Sequence, residues 1–92
     1  MRAIRFRAWD KTNKRMYQVS QFKLPYYNDT LMQYTGLKDK NGKDSYWDDI
    51  VSDGINPPFA ITPDYHLIAR LSEIEFEVIG DIYSTPELTE EK

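Results

Sequence analysis

The sequence predicts a mostly β domain with one short helix. Three observations carry that expectation. Apolar and polar residues alternate near both ends of the chain, turn-forming clusters recur between apolar runs, and only one stretch spaces its apolar residues as a helix does. Aromatic residues make up 14%, including seven tyrosines and two tryptophans, a composition suited to half-buried strands. At 92 residues the chain fits one domain with a modest core.

The first strand is Ile4-Arg5-Phe6-Arg7-Ala8-Trp9, with Ile4, Phe6 and Ala8 on one face and Arg5, Arg7 and Trp9 on the other. Polar residues 10–14 form a hairpin loop, and Met16-Tyr17-Gln18-Val19 returns as the second strand, extended by Phe22-Lys23-Leu24 until Pro25 interrupts it. Leu31–Thr35 is a third strand ended by Gly36, and the Asn41-Gly42 pair suits the tight turn that follows. Ser45–Trp47 and Ile50–Val51 form a fourth, interrupted strand. Thr62 is placed to cap a helix, with Pro63 at its first position and Leu67, Ile68, Leu71 and Ile74 at helical spacing. Residues 75–83 alternate again, with Phe76, Val78 and Ile82 inward, Glu75, Glu77 and Asp81 outward, and Gly80 where a bend or a close backbone approach is expected. Residues 1–84 therefore read as a single β-domain and 85–92 as a polar tail with at most one helical turn.

The net charge of −3 is unevenly distributed. Residues 1–23 carry seven basic side chains against Asp10 alone, so the remainder of the chain is strongly acidic. The simplest arrangement sets the first and last strands side by side, so that Arg5 and Arg7 pair with Glu75, Glu77 and Asp81. The absence of cysteine excludes disulfides, thiolate catalysis and cysteine-based zinc sites. No apolar run approaches the roughly 20 residues of a membrane span, and the beginning of the sequence lacks a signal peptide's apolar segment. These features suit a soluble, cytoplasmic protein with no membrane partner.

Three stretches, "IRFRAWDKTNKRM", "MQYTGLKDKNGKDSYWDDIV" and "EFEVIGDIYSTPEL", together resemble the YopX family of bacteriophage and prophage proteins. The resemblance implies phage or prophage origin, hence a bacterial host cytoplasm, and a small SH3-like β-barrel. It brings no mechanism with it. The chain departs from the family pattern in two places. Asp48 stands where relatives have glycine, so a bend with positive φ is expected there. The stretch between Val51 and Glu75 is shorter than in typical relatives, which favours an open barrel or one completed by a second copy.

Little in the sequence points to catalysis. Asp48, Asp49 and Asp53 lack an EF-hand's spacing and read as turn residues and solvated acids. His66 is the only histidine, and no nucleophile elbow or phosphate-binding glycine loop is present. The expectation is a protein that is not an enzyme and uses no cofactor or metal. It should act by binding protein, both itself as a homo-oligomer and a host factor, through aromatic residues at or beside loops: Tyr26, Tyr27, Tyr46, Trp47 and Tyr65. The alternative is nucleic-acid binding by the first hairpin, with Arg5, Arg7, Lys11, Lys14 and Arg15 on phosphates and Trp9 stacking on a base.

Overall fold

The computed structural model describes residues 5–89. Its strands are β1 (Phe6–Asp10), β2 (Arg15–Gln18), β3 (Thr30–Lys38), β4 (Asp44–Tyr46), β5 (Asp49–Ser52), β6 (Phe59–Ala60) and β7 (Glu77–Asp81). One helix, α1 (Tyr65–Leu71), precedes β7, and a 3-10 turn (Pro86–Leu88) follows it. The expected mostly β class with one short helix is what forms. Ile4, assigned inward in the first strand, lies outside the described residues.

The strands divide into a four-stranded sheet, β2-β1-β3-β4, and a three-stranded sheet, β6-β5-β7. The first sheet curls into a half-barrel: the Gln18 side chain on outer strand β2 donates to Tyr46 Oη on outer strand β4 at 3.1 Å. All pairings are antiparallel. The β1–β2 loop, residues 11–14, is shaped by Asp10, which accepts from the Thr12 and Asn13 backbones at 3.0 and 3.1 Å. β3 does not stop at Gly36; it runs on to Lys38, with glycine's positive φ of 91° absorbing a register irregularity against β4.

The two sheets meet at Trp47-Asp48. Asp48 has φ 72°, in the left-handed region, as the missing glycine led us to expect. Its conformation is held from three sides. The Asp48 amide donates to Ile61, its carbonyl accepts from Ile82, and its carboxylate accepts from the Tyr83 hydroxyl at 2.8 Å.

This topology overturns the expected neighbourhood of the first and last strands. β1 lies between β2 and β3, while β7 pairs with β5 in the other sheet. The arginines accordingly find other acids: Arg5 pairs with Asp44 of β4 and Arg7 with Asp49 of β5, each at 2.5 Å. Glu77, expected opposite an arginine, lies 3.8 Å from Lys40. The cause is the kink at Asp48, which carries the chain out of the first sheet and leaves Asp44 and Asp49 on either side of the crossing.

Two apolar clusters form the core. Met32, Tyr34 and Tyr46 pack with Trp9, Met16 and Tyr83 inside the half-barrel. Val51, Ile61, Leu71, Phe76 and Val78 pack between the second sheet and α1. The helix is capped by Asp64, not Thr62: the Asp64 backbone is extended and its carboxylate accepts from the His66 amide at 2.9 Å. It ends at Leu71, short of Ile74. Gly80 is where the backbone must come close, since a β-carbon there would sit 2.0 Å from Thr85 Oγ1. Ile79 is an extra residue in β7 opposite β5, which breaks strict alternation in that strand.

Candidate interaction surface

The residues expected to form a binding surface fall into three places. Tyr46 is a correction. It is 5% exposed, packs inside the half-barrel, and lies beneath the Arg7 guanidinium at 4.6 Å, so its ring belongs to the core. The curl of the first sheet turns that face of β4 inward, which alternation along three residues cannot reveal. Trp47 and Tyr65 line a groove of about 470 Å³ between β3 and α1, with Leu37 and Ile68 as apolar walls and Gln33 and Asp64 as polar ones. Tyr26 and Tyr27 stand on the loop joining β2 to β3 and are exposed.

That loop holds more than its tyrosines. Phe22 is 90% exposed, Leu24 69%, Tyr26 67% and Tyr27 fully so. Phe22 and Leu24, read from the sequence as an extension of the second strand, instead sit in and beyond a tight turn. Ser20 and Lys23 exchange backbone bonds at 3.0 and 3.2 Å, and Ser20 Oγ accepts from the Phe22 and Lys23 amides. Pro25 then stops any ladder from growing along the outer edge of β2. The signal was present in Ser20, two residues before Phe22, and in Pro25. The base of the loop is fastened where the Tyr17 hydroxyl donates to the Asp29 carboxylate.

The basic hairpin also divides. Lys11, Lys14 and Arg15 are exposed at its tip, and Lys23 lies over the Tyr17 ring at 5.1 Å. Arg5 is partly exposed but engaged by Asp44. Arg7 and Trp9 are corrections to the reading of an outward face. The Arg7 side chain is only 11% exposed, and Trp9 stacks on Tyr83 with centroids 5.7 Å apart and planes 21° from parallel. Both point into the concave side of the sheet.

The acids are structural. Asp49, expected as a solvated turn residue, is 1% exposed; it accepts from Arg7 and, at 2.8 Å, from the Tyr46 amide. Burial pushes its carboxyl up, and the Arg7 charge only partly opposes this. Asp53 accepts from the Asn56 and Ile55 backbones, which bring it down to about 2. Burial pushes the Tyr83 hydroxyl up to about 12, helped by its bond to Asp48. Burial also pushes Asp39 up, but backbone donors from Val78, Lys43 and Asn41 outweigh it and hold the carboxyl below the usual range. His66 is exposed on α1, and no group of three metal-ligating side chains occurs among the described residues. No described helix is long and apolar enough to cross a membrane.

Fold and surface together define a class: a small, curled β domain whose buried acids hold its two sheets together and whose densest run of exposed apolar side chains lies on one loop. The family model described as "YopX protein" matches residues 21–73, more than half of the chain, and the chain belongs to that family. Among solved structures it resembles the crystal structure of protein EF1440 from Enterococcus faecalis, with a TM-score of 0.64 and 20% identity over 96% of this chain and 99% of that one. At that identity the likeness speaks for the fold. No curated protein matches.

Proposed function

We propose that this is a phage or prophage accessory protein that works in its bacterial host's cytoplasm by binding protein, through the 22–27 loop. One observation carries the reading: four large apolar or aromatic side chains, Phe22, Leu24, Tyr26 and Tyr27, are exposed within six residues. A small domain with a core to fill does not leave such a group in water without consequence, and aromatic anchors of this kind dominate protein interfaces. A host factor is one partner class that the phage setting offers. The basic hairpin tip beside these rings also suits single-stranded nucleic acid. That reading is weaker, because Arg7 and Trp9 are engaged inside the fold and the net charge is −3.

The test is a photo-crosslinking amino acid placed at Tyr27 and, as a control, at Thr89, in the bacterial host. Position 27 should give a discrete protein adduct that position 89 does not, lost when Phe22 and Leu24 are changed to Ser. A nuclease-sensitive adduct would transfer the surface to the nucleic-acid reading. Identical patterns at both positions would sink the proposal.

A further inference from the structure

We propose that the 22–27 loop docks into a second copy of this chain, in a socket between β6, α1 and the turn after it, so that copies join head to tail. The inference rests on the binding reading above and names the partner. The socket is an apolar pocket of about 340 Å³ lined by Phe59, Leu67, Leu71 and Ile74, with Asp53 and Arg70 at its polar margin. Ile74 is 44% exposed, and Ile55, two residues beyond Asp53, is 88% exposed, so apolar surface continues out of the pocket onto its rim. Beside the groove between β3 and α1, the chain thus carries a protruding apolar loop on the first sheet and an apolar concavity on the second.

Their charges are opposite. The loop carries Lys23 and runs back to Thr30 opposite Trp9, beside the hairpin tip with Lys11, Lys14 and Arg15. The socket is lined by Asp53 and by Arg70, and Glu73 and Glu75 flank its Ile74 in the chain, which leaves that side net acidic. The four ion pairs among the described residues use none of these charged side chains. Each end therefore keeps an unspent charge that the other end of a neighbour would satisfy, with apolar anchors between. Asp53 is tied down by its own turn and stays ionised to strongly acid pH. Edge-to-edge pairing of two β2 strands is a poorer route, because that edge is four residues long, begins with Arg15 and is preceded by Lys14, features that resist strand addition. A head-to-tail contact joins two different patches, so it closes into a ring or continues as a filament.

The experiment is light scattering on the whole chain over rising concentration, with two variants. The unmodified protein should show masses at multiples of 10.9 kDa, falling as ionic strength rises from about 0.05 to about 0.5 M. Phe22→Ser/Tyr27→Ser (loop removed) and Ile74→Lys (socket blocked) should each run as a single chain with unchanged circular dichroism. Mixed together they should form a dimer and nothing larger, because only one intact loop and one intact socket remain. A single-chain mass for the unmodified protein at millimolar concentration would overturn the inference, as would failure of the two variants to pair. If the chain is monomeric but position 27 still crosslinks to another protein, the binding reading stands and this inference alone falls.

Discussion

The seam between the two sheets and the loop joining β2 to β3 invert the usual placement of side chains. At the seam, charged and polar groups are buried: Arg7 with Asp49, Asp39 against the Val78 amide, Tyr83 on Asp48. On the loop, phenylalanine, leucine and two tyrosines face outward. The contrast teaches that the polar groups inside are there to join two sheets at fixed geometry, whereas the apolar groups outside contribute nothing to that joint. Stability should therefore reside in the seam and association in the loop, and substitutions can separate the two.

The largest loss should follow from breaking the Arg7–Asp49 pair from one side. Arg7→Ala or Asp49→Ala leaves an unpartnered buried charge and should cost about 3–5 kcal/mol in urea unfolding. Arg7→Met/Asp49→Leu removes both charges and should recover most of that loss. A double variant as unstable as the singles would show that the charges are needed for the joint itself.

Next comes Asp39, whose carboxylate accepts three backbone bonds and spans from the β3–β4 turn to β7. Asp39→Ala should cost about 2–3 kcal/mol, since the buried Val78 amide loses its acceptor. The same residue has a pH signature. Asp10, held down chiefly by Asn13, and Asp39 lie below their ordinary range in the fold. Their stabilisation is complete above the unfolded carboxylate value of about 4 and is lost as pH falls through the depressed folded values. Asp49 has the opposite sign: its raised carboxyl takes up a proton more readily folded than unfolded, so acidification favours the fold at that one site. Urea midpoints between pH 7 and pH 2 should thus fall more gently in Asp39→Asn and more steeply in Asp49→Asn than in the unmodified protein.

At the kink, Asp48→Gly should change stability by less than about 1 kcal/mol, because relief of the left-handed conformation offsets the lost Tyr83 bond. Asp48→Ala keeps the unfavourable φ and loses the bond, for a cost of about 2 kcal/mol by thermal unfolding. Smallest of all, Phe22→Ser/Tyr27→Ser should shift stability by no more than about 0.5 kcal/mol. A larger drop would mean that the loop helps hold the fold, and the division between seam and loop would fail.

What could be read from the sequence was local. Hairpin turns, the bend at Asp48 and the close approach at Gly80 each follow from a few adjacent residues, and each is present. Helix capping was misplaced by two residues because Thr62 and Asp64 are both capable caps, and only the extended backbone at Asp64 decides between them. What could not be read was long-range. Nothing in Arg5-Phe6-Arg7 indicates which acids will face it, since that depends on where the chain crosses between sheets. Period-2 reasoning separates the two faces of β1 but does not say which becomes concave when the sheet curls, and it is the face of Arg7 and Trp9 that does. The binding surface was half legible: Tyr26 and Tyr27 were recognised beside Pro25, while Phe22 and Leu24 looked like strand residues until the Ser20–Lys23 turn lifted them off the edge.

Only Trp47 and Asp48 separate β4 from β5, so the connection has no slack. A single residue deleted there would rotate every side chain of β5 to the opposite side, removing the Asp49 carboxylate from Arg7 and presenting Ile50 in its place. The segment between Ser52 and Tyr65 carries only the two-residue β6 and can change length without such a reversal. The joint acts as a phase lock: it tolerates changes of side chain but not of spacing.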